Sequence, residues 1–123
     1  MYDAIIDKMN YSVIKRKFDF KEGRKEIVLD RLLYIESNLH RLEFHVMEDD
    51  ETVYTMYEIL NVMDDMLSEN GFIRTHQSYL VNVKCIKNVA RYKVILTNGV
   101  ELSIPKARYT EVKKKFIACQ GEV

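Results

Sequence analysis

The chain has 123 residues, with 19 Lys and Arg against 19 Asp and Glu, 47% hydrophobic and 31% charged. That length fits one domain with a single continuous core, and eight Tyr with only four Gly and one Pro exclude a disordered chain. No apolar run approaches the ~20 residues of a membrane helix, and MYDAIIDKMN is acidic where a signal peptide carries positive charge, so a cytoplasmic protein with reduced thiols at Cys85 and Cys119 is expected.

Residues 2–9 suggest a short amphipathic helix with Ala4, Ile5, Ile6 and Met9 on one side. SVIKRKFDF, 12–20, is β-compatible, and KEGRKE, 21–26, reads as a turn around Gly23. EIVLDRLLYIES follows as two short strands or one bent strand. RLEFHVM, 41–47, alternates through Leu42, Phe44 and Val46, the period of a half-buried strand. EDDE is a turn and TVYTM a further strand.

The period then changes. Met56, Ile59, Leu60, Met63 and Leu67 form an apolar helical stripe, which predicts a helix over 55–69. Thr55 and Glu58 supply a T-x-x-E pattern at its start. Asn70-Gly71 sits where a left-handed cap is expected. In SYLVNV, Tyr79, Val81 and Val83 share one face and Leu80 takes the other, so both faces are expected to be covered.

YKVILTNGVELSIP is a hairpin. A two-residue Asn98-Gly99 loop would set Leu96 opposite Glu101. A three-residue Thr97-Asn98-Gly99 loop sets Leu96 opposite Val100, Val94 opposite Leu102 and Tyr92 opposite Ile104. The second register gathers the apolar side chains and is the one expected, with Gly99 in the left-handed position. Pro105 ends the strand. Tyr109, Val112 and Phe116 predict a basic C-terminal helix over 107–118.

Charge is segregated along this neutral chain. Residues 36–70 hold ten carboxylates against Arg41 alone, and residues 71–115 hold ten bases against Glu101 and Glu111. One electropositive face that holds a polyanion is one outcome, and plain solvated surface is the other.

There is no glycine-rich phosphate loop and no Cys/His cluster at metal spacing. No cofactor and no metal are therefore expected, and His40 and His45 should point apart. Ser78 and Cys85, the nucleophile candidates, lie in no elbow or helix-start context, so no enzyme is expected. Asn38, His40, Arg41, Gln77 and Arg108 lie in or beside predicted loops, and residues of these types read base edges or hold phosphate.

FIRTHQSYLVNV, 72–83, resembles the signature F-x-R-x-H-x-S-Y/F-L-V-N of the LytTR DNA-binding domain, with Phe72, Arg74, His76, Ser78, Tyr79, Leu80, Val81 and Asn82 matching. DRLLYIES resembles the family's D-x-I-L-Y-I-E element through Asp30, Leu33, Tyr34, Ile35 and Glu36. LTNGVELSIPKARY resembles its hairpin and exit through Asn98, Gly99, Pro105 and Arg108. The three motifs stand in order across 26–118.

The resemblance implies a mainly β fold, an elongated sandwich of small antiparallel sheets with one lateral helix and a C-terminal helix. It divides the chain into an extension or linker at 1–25, which could instead be a helix and strand packed on the domain, a DNA-binding domain at 26–118, and a tail at 119–123. It implies that loops enter successive major grooves of double-stranded DNA, commonly at direct repeats, in a bacterial transcription regulator. The base-contacting positions fall on His40, Gln77 and Arg108. Asn38, Arg41, Arg74, His76, Ser78, Lys84 and Lys106 are carried over as backbone-contacting or supporting residues.

Within that set, His76 is read as an anchor for its loop, Asn82 as a turn residue, and Tyr34 and Tyr79 as core. Arg74 and Lys84 are phosphate contacts or plain solvated charge. Arg74, Gln77 and Ser78 are expected to face the duplex. Gln77 stands where some relatives have Asn or Arg, so no base preference transfers. Lys106-Ala107 replaces a common Val-Ser, which loses a serine contact to phosphate and puts a charge there instead.

Such domains often follow a phosphorylatable receiver domain, and these residues contain none. A stand-alone regulator and an excised fragment both remain open. The alternative reading is a non-catalytic β-domain for protein–protein interaction that uses the same loops.

Overall fold

The computed structural model of the protein describes residues 14–121. The helix expected over 2–9 lies outside them. Among the described residues, ten strands form three antiparallel sheets. The central sheet has five strands in the order β5-β4-β3-β7-β6: β3 (Leu32–Asn38), β4 (Arg41–Met47), β5 (Glu51–Met56), β6 (Phe72–His76) and β7 (Tyr79–Asn82). A two-stranded hairpin, β1 (Lys15–Phe20) and β2 (Gly23–Val28), precedes it. A three-stranded sheet, β8 (Ile86–Ala90), β9 (Lys93–Leu96) and β10 (Glu101–Ser103), follows. Helix α1 spans Leu60–Leu67 and α2 spans Lys106–Gly121. No helix among the described residues is long and apolar enough to cross a membrane.

The central sheet is covered on both faces because its strands alternate two apolar sets. Leu32, Ile35, Leu42, Phe44, Val46 and Leu80 face one core, closed by the β1–β2 hairpin through Phe18, Phe20 and Ile27 and by α1 through Leu60, Met63 and Leu67. Tyr34, Ile73 and Val81 face the other, closed by Val89, Val94, Leu96 and Leu102 of the small sheet and by Val112 and Phe116 of α2. The expected sandwich of small sheets is the observed architecture, and Leu80 and Val81 do point into opposite cores.

The hairpin register is the one argued from burial. Val94 pairs with Leu102, the Leu96 amide donates to the Val100 carbonyl at 2.9 Å, and the Ile104 amide donates to the Tyr92 carbonyl at 2.9 Å. Gly99 has φ +91 and Gly71 has φ +84, the left-handed values expected of both.

The predicted helix over 55–69 starts too early. Thr55 and Met56 belong to β5, where Thr55 pairs with Glu43 and Met56 with Leu42. Helix α1 begins at Leu60 and a 3-10 turn, Ser68–Asn70, follows it. The T-x-x-E pattern caps nothing: the Thr55 amide donates to Glu22 Oε1, and Glu58 Oε1 accepts from Ile59. Strand pairing with β4 overrides the local helical period, and Ile59 is left exposed. At the other end α2 is longer than 107–118. The turn expected over 21–26 is confined to Lys21 and Glu22.

Candidate nucleic-acid interface

Antiparallel pairing decides which loops share an end of the sheet. Strand β3 pairs with β7, Glu36 opposite Tyr79, so the C-terminal end of β3 lies beside the N-terminal end of β7. The β3–β4 turn, Leu39–His40, and the β6–β7 turn, Gln77–Ser78, therefore project from one end. The Ser37 amide donates to the Ser78 carbonyl at 2.8 Å and ties the two together. His40 and Gln77 are both exposed at these tips.

Arg108 stands in the first turn of α2, half-buried, and its Nη1 donates to the Arg74 carbonyl at 3.5 Å. A concavity of about 670 Å³ is lined by Gln77, Arg74, Arg108 and Lys115. Its neighbour, about 530 Å³, is lined by His40, Gln77, Ser78 and Arg74. Asn61, Arg74 and Gln77 belong to both, so the concavity that holds His40 and the one that holds Arg108 adjoin at Gln77.

Arg74 does not face outward as expected. Its side chain is only 16% exposed, and four of its five N–H donors are hydrogen-bonded. Nε donates to the His76 carbonyl at 3.0 Å, Nη2 to the Gln77 carbonyl at 2.6 Å, and Nη1 to Asn61 Oδ1 at 2.9 Å and Asp64 Oδ2 at 3.2 Å. The guanidinium thus staples the tip that carries Gln77 onto α1. Charge-assisted bonds of this kind contribute roughly 1.5–3 kcal/mol when shielded from water.

His76 anchors its own turn. Nδ1 accepts from the Ser78 amide at 3.0 Å, which requires the tautomer with the proton on Nε2. Cys85 is buried, and burial first, then the Asp30 carboxylate, pushes its thiol pKa up, against thiolate chemistry. Asn82 is buried and bonds three backbone groups: Nδ2 donates to the Leu29 and Leu32 carbonyls at 3.0 Å, and Oδ1 accepts from the Lys84 amide at 3.0 Å.

Asn38, Arg41 and Lys106 are exposed. Asn38 and Arg41 are the facing pair that closes the His40 turn, and Lys106 opens α2 two residues before Arg108. Ser78 is half-buried beside Gln77. Lys84 is not brought to this end. It lies in the 3-10 turn Val83–Cys85, past the far end of β7, and pairs with Asp30 at 3.0 Å. A four-residue strand carries the chain about 10 Å from Tyr79 to that end, so the short distance in sequence does not survive folding.

Part of the basic run over 71–115 is already held in ion pairs, one of them, Lys115 with Glu111, inside the concavity that holds Arg108. Lys84, Lys93 and Lys115 pair with Asp30, Glu101 and Glu111 at 3.0, 2.9 and 3.2 Å. These pairs are exposed, worth little, and free to rearrange toward another anion.

One cluster was missed because its members meet only across β3 and β4. Glu36 faces Glu43, and their carboxylate oxygens and a His45 ring nitrogen lie within 4.8 Å of one another, a set able to hold a divalent cation. Glu51 Oε2 lies 3.3 Å from His45 Nδ1. The His45 ring stacks on Tyr34, centroids 4.1 Å apart. Burial, then Glu36, pushes the Tyr34 hydroxyl pKa up to about 12. His40 has no part in this cluster.

The LytTr DNA-binding domain family model matches residues 23–117. The chain is similar to the transcriptional regulatory protein LytR of Staphylococcus aureus, 38% identical over 65 residues, which are 49% of this chain and 26% of that protein. It is similar to the sensory transduction protein LytT of Bacillus subtilis, 24% identical over 117 residues, 91% of this chain and 48% of that one. The LytT of Enterococcus faecalis is 32% identical over 72 residues, 54% of this chain and 30% of that protein. The chain spans about half or less of the length of these relatives. A solved LytTr DNA-binding domain from Bacillus cereus superposes with a TM-score of 0.65 at 22% identity, over 86% of this chain and 96% of that one, and has the same fold. Matched along most of its length by the family model, the chain belongs to the LytTr DNA-binding domain family.

Proposed function

We propose that the chain binds double-stranded DNA in a sequence-dependent manner, as the output domain of a bacterial transcription regulator working in the cytoplasm. In this reading the loops enter successive major grooves, and His40, Gln77 and Arg108 contact base edges. The supporting observation is that His40 and Arg108 line two concavities that share Gln77. Two hairpin tips and a helix start, far apart in sequence, adjoin at one end of the central sheet.

The chemistry of these three residues suits the task. Arg makes a forked contact to guanine, Gln donates to and accepts from adenine, and His reaches base or phosphate. Lys106 and Arg108 crowd the positive end of the α2 dipole, whose first turn has no acidic residue. Cations there cost roughly 0.3–1 kcal/mol each, a cost that a bound polyanion offsets. Asn38, Arg41 and Lys106 hold phosphate, whereas Arg74, His76 and Ser78 hold the Gln77 tip in place. Direct-repeat sites and control by a receiver domain in a longer polypeptide belong to the same proposal.

Selection of bound sequences from a random duplex pool, followed by gel shifts over a salt series, tests it. The parent should enrich one motif and bind more weakly as salt rises. Arg108→Ala should lose roughly 1–3 kcal/mol and relax preference at one base pair. No enrichment, or an Arg108→Ala variant that binds like the parent at moderate salt, would overturn the assignment.

A further inference from the structure

The β3–β4 turn carries an unexplained leucine. Asn38 pairs with Arg41, which leaves Leu39 and His40 as a two-residue loop. Leu39 has φ +60, and His40 does not share the positive φ. A positive φ at the first loop position alone matches a type II′ turn, a position that draws glycine because a Cβ there is strained. Leu39 is also 86% exposed, the most exposed large hydrophobic among the described residues. The turn would close more comfortably on Gly, and an apolar side chain in water contributes nothing to the core. Such an outlier at a loop tip points toward function.

Its surroundings indicate which function. Leu39 lines the same concavity as His40 and Gln77, as do exposed Tyr57 and Ile59. A residue one peptide bond from His40, on the same two-residue tip, reaches the same depth when that tip enters a groove. Apolar groups on the major-groove floor come from thymine, whose C5-methyl is read by apolar contact. We infer that Leu39 is a specificity-determining residue that contacts thymine methyl groups beside the base pair met by His40. The inference rests on the DNA-binding reading above and adds a preference that the three polar residues do not supply.

The test uses the duplex enriched by selection and an identical duplex with every thymine replaced by deoxyuridine, which removes the methyl and leaves base pairing intact. The parent should bind the deoxyuridine duplex about fourfold more weakly per contacted methyl, the equivalent of one buried methyl group. Leu39→Gly should bind the thymine duplex more weakly by the same factor and not distinguish the two probes. Its melting temperature should equal or exceed the parent's, because the strained φ is relieved. Leu39→Asn, a residue that positive-φ hairpin turns also accept and that has no apolar tip, should behave like the glycine variant and covers the case in which added chain freedom unfolds Leu39→Gly.

A parent indifferent to the methyl, or variants that keep the parent's thymine preference, would overturn the role of Leu39 and leave DNA binding standing. A parent that binds no duplex overturns both. A change of oligomeric state in Leu39→Gly by light scattering, with DNA binding unchanged, would make this cleft a protein interface instead.

Discussion

Arg74 shows how one residue can serve a binding tip without touching what is bound. Four acceptors surround its guanidinium, two of them carbonyls of the turn and two of them side chains of α1. Its fork geometry meets them together, and a lysine has neither the fork nor the reach in several directions. Arg74→Lys should therefore lose roughly 1–3 kcal/mol of stability in urea unfolding, with faster amide exchange at Ser78 than a merely global destabilisation gives. An unchanged unfolding midpoint would show that the staple is dispensable. The Arg at this place in the motif was legible in the sequence. Its inward direction was not, because Asn61 and Asp64 come from a helix ten or more residues upstream and the other two acceptors are backbone.

At the scale of elements, Gly71 and Gly99, two of the three glycines with positive φ, separate conformation from crowding. Nothing stands within 4 Å of a Cβ built on Gly99, while one on Gly71 would meet Val83 Cγ1 at 3.3 Å. Gly99→Ala should cost roughly 1 kcal/mol from φ alone. Gly71→Ala should cost more, since Val83 must also give way. Thermal unfolding of the pair checks the order, and equal losses would mean that Val83 yields freely. Both glycines could be placed from sequence because turn chemistry is local. The start of α1 could not. Met56 and Ile59 continue the helical stripe, yet β4 offers Thr55 and Met56 a strand partner, and a ladder of hydrogen bonds outweighs a weak local preference.

For the whole molecule, the central sheet needs both covers. On the first face, Phe20 lies against Phe44 with centroids 4.9 Å apart and stacks on Tyr54 at 5.1 Å, and Phe18 closes the cluster at 5.1 Å from Phe44. Phe20 precedes residue 23, where the family match begins. Phe20→Ala should cost about 3–5 kcal/mol, a large share of the 5–15 kcal/mol typical of a domain, measured by urea unfolding of the full chain. A loss below ~1 kcal/mol would mark β1 as an appendage and favour a domain boundary near residue 26.

The sequence by itself determined the alternation that makes strands, the glycine turns, the register of the β9–β10 hairpin and the family motifs, because each depends on neighbours within about a dozen residues. It also singled out His40, Gln77 and Arg108 through that resemblance. Only the tertiary structure decided that Arg74 turns inward, that Lys84 goes to the far end of the sheet, that Glu36, Glu43 and His45 meet, and that Leu39 stands strained and exposed beside His40. Those outcomes depend on which strand lies beside which and in what direction. Strand order in a sheet is set by burial summed over the whole core, which no short window of residues contains.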